Sequence, residues 1–426
     1  MPKLYIRKNT SYYFPLLHTL KTIAKNENAD FIFTDEVQQA DLVWDYMHAD
    51  SQPIAIEFYN ELEKENPQLS HSAVFVSEPV IRDAKGNPDH LATIFYMLNC
   101  LQEYNPAESD LDAFARFRYD ASYQHRFDNI EENLAGKLMV QFCTEKGIKT
   151  IPNPTAFFIS HDIDTLYGSL LQDGFYSLTN LNIPAMLRIL LMEFSRKPHW
   201  KNMDRIMRIN SEYDIKSTFF WLVKKGKGSS GIKNSDYSIA KEQKLLNEVE
   251  GKGFINGLHK SPEASSFEEE LRKGKKLQPF NRYHFLEFLP HTDWPLLSES
   301  PIEFDSSLGF AEHCGFRNSY GNSFQPYDFK LKKPFNFVEA PLVFMDTTFH
   351  KYMVTDKNTI ADTIIHAYNK NSTNSLLSLL WHNNYFTDFK YNGFLKEYKK
   401  VLSFIYEAKI PTLTPSEIVQ QTRIAW

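Results

Sequence analysis

From residue 156 onward, short apolar runs alternate with stretches of helical periodicity, and this alternation narrows the possible folds more than any other feature of the chain. The runs are Ala156–Ser160, Ser217–Val223, Phe254–Leu258, Ile302–Asp305, Phe337–Val343 and Leu376–Trp381. Between them lie helical patterns at Met203–Tyr213, Ile239–Glu250, Ser266–Lys276, Thr359–Asn369 and Phe394–Ala408. Repeated strand-then-helix units predict an α/β fold with a parallel sheet or a β/α barrel, because parallel strands need a crossover between them. In such folds chemistry collects at the C-terminal ends of the strands.

At 426 residues the chain exceeds the roughly 250–300 at which single cores stop growing, so two domains are expected. Residues 1–150 read as a smaller N-terminal α/β domain, with strand-like runs at Phe31–Phe33, Leu42–Trp44, Ile54–Ile56 and Val74–Val76 and a helix at Leu91–Leu101. Ile151-Pro152-Asn153-Pro154 punctuates the chain and places the second domain at 151–426. The first domain offers no chemical motif of its own.

Hydrophobic residues make up 42% and aromatics 15%, enough for a large core. The net charge of -6 is spread along the sequence with no basic stripe, which argues against a nucleic-acid partner. Cys100, Cys143 and Cys314 have no metal-type spacing and an odd number, which fits a reducing compartment. Met1 to Thr10 lacks an apolar signal core, so the expected location is cytoplasmic. Ile183–Phe194, the most apolar stretch, carries Pro184, Arg188 and Glu193 and falls short of the roughly 20 residues that span a bilayer, so no transmembrane segment is expected. A peripheral lipid contact there, with Arg188, Arg196 and Lys197 beside it, ranks last among the partner expectations.

Three of the apolar runs end in ligand-type side chains. Ser160-His161-Asp162-Ile163-Asp164 crowds ionisable groups that a divalent cation would compensate, and extended geometry turns Asp162 and Asp164 to one side. The same carboxylates could instead cap a helix or face solvent. Gly257-Leu258-His259 ends a second run and Leu380-Trp381-His382 a third; either histidine could be a scaffold residue, a ligand or a proton carrier. Ser261-Pro262-Glu263 also reads as a helix start. Recurrence at one end of three strands makes a site the stronger reading.

Across about residues 154 to 420 these motifs resemble, in order and spacing, the polysaccharide deacetylase superfamily with its NodB-homology domain. Ser-His-Asp-Ile-Asp, Gly-Leu-His, Asp305-Ser-Ser-Leu-Gly-Phe310, Gly315-Phe-Arg317 and Leu-Trp-His-Asn together resemble an uncharacterised bacterial branch with an extra N-terminal domain. The resemblance implies an irregular β/α barrel of the deacetylase type and a single divalent metal ion, Zn²⁺ or similar. It implies Asp162 as catalytic base, His382 as catalytic acid, and Asp164 and His259 as metal ligands. Glu263 stands where the family has a second ligand histidine, so an Asp164/His259/Glu263 site is the first expectation, with His284 or His161 as alternative donors. Arg282-Tyr283-His284-Phe285 resembles the segment that forms one wall of the substrate groove, and Arg282, His284, Asp305, Arg317 and Trp381 are the substrate-binding candidates.

The expected activity is metal-dependent removal of an acetyl group, N-acetyl before O-acetyl, from a carbohydrate or glycoconjugate. The competing expectation is an inactive deacetylase-like protein that binds or scaffolds carbohydrate, in which Glu263 marks a lost metal site.

Overall fold

The computed structural model describes residues 1–195, 198–227, 233–261, 265–387 and 389–426. The chain opens with β1 (Lys3–Ile6), which lies between β2 (Ile32–Phe33) and β3 (Leu42–Trp44) in a parallel three-stranded sheet. Helix His90–Leu98 packs against helices Tyr13–Asn26 and Leu134–Glu145. Because Leu91 to Leu98 are apolar almost throughout, that helix can bury every side of itself, and it does. Asp89 caps it, accepting from Ala92 N–H at 2.9 Å and also from Ala55 N–H at 2.8 Å.

Two expected strands in this region are absent. Ile56 opens helix Ile56–Leu62, and Val74 closes the short helix His71–Val74, leaving Val76 exposed. Runs of three apolar residues carry no period, so they do not distinguish strand from helix.

The rest of the chain is an irregular parallel β/α barrel. Its strands begin with β4 (Ala156–Ile163), β5 (Thr218–Leu222), β6 (Ile255–Lys260), β7 (Phe280–Tyr283) and β8 (Phe304–Asp305). β9 (Tyr327–Asp328) and β10 (Lys333–Pro334) form a separate antiparallel ribbon. β11 (Val338–Glu339), β12 (Phe344–Met345) and β13 (Leu376–Leu380) complete the large sheet, whose order is β11-β8-β7-β6-β5-β4-β13-β12. The expected strand at Phe337–Val343 is realised only as β11 at one edge, and Pro341, which has no N–H for a ladder, lies in the break that separates it from β12 at the other. β7 was not among the strand candidates.

That division forces the sheet to curl. From Glu339 to Phe344 the extended chain reaches at most about 18 Å, whereas eight flat strands would hold their edges about 34 Å apart. The edges therefore bend toward each other.

Strand alternation then sorts the side chains. Ala156, Phe158, Phe220, Phe280, Phe304, Val338 and Leu376 form a core inside the curl, joined by Ile418 and Val419 of helix Pro415–Thr422. Along the same faces follow Ser160 and Asp162, His259, Arg282 and His284, and His382, so the interior changes from apolar to ionisable toward the C-terminal ends. Gly257 is small for a packing reason, since a Cβ there would sit 2.6 Å from the Phe220 ring.

Candidate active site at the strand ends

Asp162 is 2% exposed and is held by Arg282, whose Nη1 donates to its Oδ1 at 3.0 Å and to Ser160 Oγ at 2.8 Å. Arg282 is itself fixed by Ser306, donating to its carbonyl at 2.8 Å and its hydroxyl at 3.1 Å, and it lies 4.7 Å from the Phe220 ring centre. A buried charge needs such pairing. Arg282, a substrate-binding candidate, is fully buried beneath Asp162 and holds that carboxylate.

Asp164, one residue beyond β4, is partly exposed and central to the cluster. Its Oδ1 lies 3.3 Å from His259 Nε2 and 3.7 Å from His284 Nε2, and its Oδ2 lies 3.8 Å from His382 Nε2. His259 Nδ1 is 2.9 Å from the Arg282 carbonyl, which can only accept, so Nδ1 carries the proton and Nε2 turns toward the carboxylates with its lone pair when the ring is neutral. His284, one residue past β7, stacks edge-on to His259 with ring centres 4.9 Å apart.

Asp164, His259 and His284 each offer one donor atom, and these atoms lie within 4.8 Å of one another. Tetrahedral Zn²⁺ with ligands at about 2.0–2.1 Å places its donors about 3.4 Å apart, close to the 3.3 and 3.7 Å seen here. Asp164 Oδ1 is also buried with no hydrogen-bond partner. The donor set therefore fits a divalent ion. Glu263, the first expected ligand, lies outside the described residues; His284, expected as a substrate contact or as an alternative donor, stands beside Asp164 in the cluster.

Charge follows the same geometry. Burial alone would raise the Asp164 carboxyl, but His284, His259 and His382 together hold it well below the usual carboxylate range. Burial lowers His284, with Asp164 opposing only in part. Against burial, Asp162 and Asp164 raise His259. His382 is raised to about 10: burial works against its charged form, and Asp346, then Asp164 and Asp162, overcome that. Asp346 Oδ1 is 2.7 Å from His382 Nδ1, and the His382 backbone N–H donates to the other oxygen.

Sequence reasoning missed Asp346, although it directly follows β12 and the strand-end rule would have reached it. It also missed Arg116, Lys351 and Tyr352. They line a cavity of about 110 Å³ together with Asp162, Asp164, His259, His284, Phe285 and His382. Arg116 comes from the first 150 residues. A larger cavity of about 510 Å³ lies at the N-terminal ends of β4 and β13, lined by amides such as Asn26, Asn153 and Asn374.

Besides Arg282, three substrate-binding candidates do not line the cavity. Trp381 alternates outward and is buried against Phe394 and Tyr398. Asp305 also points away from the interior, bonded to Asn281 at 2.6 Å and to Ser307. Arg317 is buried in an ion pair with Glu103 at 2.6 Å.

No protein-family model matches the chain, and no curated protein does either. Among solved structures it is similar to a protein assigned as a polysaccharide deacetylase from Mycobacterium smegmatis, at 15% identity over 65% of this chain and 93% of that one, with a TM-score of 0.42. A peptidoglycan N-acetylglucosamine deacetylase gives 14% identity over 64% and 90%, with a TM-score of 0.31. A CE4 family pseudoenzyme from Bacillus anthracis gives 9% identity over 64% and 68%, with a TM-score of 0.29.

Proposed function

We propose that the chain is a metal-dependent hydrolase that removes an acetyl group, N-linked in preference to O-linked, from a carbohydrate. The observation that carries this reading is one small cavity that unites an Arg-held carboxylate, a three-donor cluster and an Asp-held imidazole. A divalent ion held by Asp164, His259 and His284 would supply Lewis-acid polarisation of the acyl oxygen and a more acidic water. Asp162, oriented by Arg282, accepts the proton of the attacking water. His382, protonated and anchored by Asp346, donates from Nε2 to the departing amine. The cavity holds only a few water-sized groups, which suits an acyl group and its water, with the sugar ring lying across the mouth beside Phe285 and Tyr352.

The test is elemental analysis combined with acetate release from N-acetylglucosamine oligomers. The purified protein is expected to hold about one divalent ion per chain, the stoichiometry of a single mononuclear site. Asp162→Asn should abolish acetate release and keep the ion, whereas His284→Ala should lose the ion. Full activity in Asp162→Asn, or undiminished ion content in His284→Ala, would refute the assignment.

A further inference from the structure

Directly after Asp164 the chain leaves the barrel and builds helices Phe175–Thr179 and Ile183–Phe194, preceded by a wide turn at Leu170–Gly174. Helix Ile183–Phe194 starts cleanly, with Asn182 capping it and Pro184 in its first turn. It buries only Ala185 and Ile189. Its opposite face carries Leu187, Leu191 and Phe194, spaced four and three residues apart on one stripe, and all are exposed. Leu171, Phe175 and Leu181, on or beside the adjoining turn and helix, are exposed as well, with Leu171 at 81%, Leu181 at 80% and Phe194 at 85% exposure. So many exposed large apolar side chains on adjoining elements ordinarily mark an interaction site.

The polar groups of the segment say what kind of partner it fits. Both acids are withdrawn: Asp173 is buried and accepts from Trp200 Nε1 at 2.9 Å, and Glu193 accepts from Ser169 Oγ at 3.1 Å. The exposed charge is the cation Arg188. Thr179 and Asn180 return their side-chain donors to backbone carbonyls of the preceding turn, Asn182 accepts from Ala185 N–H, and Ser195 donates to the Met192 carbonyl. Polar groups already bonded within the segment can enter a bilayer interface without giving up a bond to water.

We infer that Leu170–Phe194 is an interfacial membrane element that inserts its apolar face into the acyl boundary of an anionic bilayer. None of the described helices is long and apolar enough to cross a membrane, so the element lies in the plane of the interface. Arg188 faces the headgroups, and in the sequence Arg196 and Lys197 follow, outside the described residues. Read from sequence alone this contact ranks last; burial of just two residues in Ile183–Phe194 reverses that ranking. The inference does not depend on the hydrolase reading.

The test is flotation of the full chain with vesicles of equal parts phosphatidylcholine and phosphatidylglycerol. Wild type is expected to float. Leu171→Glu/Leu187→Glu/Phe194→Glu, changed only at exposed positions, should keep the wild-type circular dichroism spectrum and lose about tenfold or more of the vesicle-bound fraction. Arg188→Glu should weaken binding to the mixed vesicles and leave binding to phosphatidylcholine alone unchanged. Wild type remaining at the bottom of the gradient would overturn the inference, and so would a triple variant that floats as well as wild type. A stable dimer in solution with no flotation would make the face a protein contact and overturn it as well.

Discussion

Asp346 shows how much one carboxylate does at this site. It grips His382 through both the ring and the backbone, and it is the main influence that keeps the imidazole charged despite burial. Asp346→Asn is therefore expected to lower kcat for acetate release about a hundredfold while KM changes little, as for loss of a well-placed general acid. A change confined to KM would contradict this role. The residue type and strand-end position of Asp162, Asp164, His259 and His382 were legible in the sequence. What was not legible is the direction in which each neighbour faces. Trp381 and Asp305 have suitable chemistry and stand beside inward residues, but they fall on the outward beat of the strand. His284 was visible both as a groove residue and as an alternative donor; choosing between the two depends on the juxtaposition of β6 and β7, which no single strand reveals.

The turn after β7 is an element under strain. Phe285 and Leu286 have φ of 59° and 54°, a left-handed conformation unfavourable for side chains with a Cβ. Arg116 holds it there, donating from Nη1 to the Phe285 carbonyl at 2.7 Å while Asp112 secures the guanidinium, and Phe114 stacks on the Phe285 ring. Arg116→Ala is expected to destabilise the fold by about 2–3 kcal/mol, the scale of losing charge-assisted hydrogen bonds, and to weaken divalent-ion binding through His284. Thermal unfolding and ion titration would check this; unchanged values in both would remove the link. Long periodic helices such as Phe394–Glu407 were readable from sequence, and so were the short strands β8 and β11, which fall inside the apolar runs Ile302–Asp305 and Phe337–Val343; β7 was not, because Asn281 and Arg282 break its apolar run.

Across the whole molecule, one hydrophobic cluster runs from Leu4 to Ile410, and buried polar contacts tie the first 150 residues to the barrel. His18 Nε2 meets the Gln325 carbonyl at 2.8 Å, and Glu27 accepts from Asn374. Burial pushes Glu27 up to about 8, so its stabilising contribution is complete below its ordinary value of 4.5 and is lost as pH rises through 8. Burial pushes His18 down to about 4, so its contribution is present above 6.5 and is lost as pH falls toward 4. Glu27→Gln is expected to raise the Tm at pH 8 and flatten its decline between pH 5 and 8. An unchanged slope would exclude Glu27 as the source. The α/β alternation and the barrel were visible in sequence because they repeat; these cross-contacts were not, because each depends on two residues hundreds of positions apart. The curl of the sheet carries a last consequence. Residues 340–343 act as the buckle of a belt: Ala340 and Leu342 donate to carbonyls on one end and Val343 to Ser378 on the other. With no slack in the buckle, the girth of the barrel mouth is set there, and so is the position of Asp346, three residues further on.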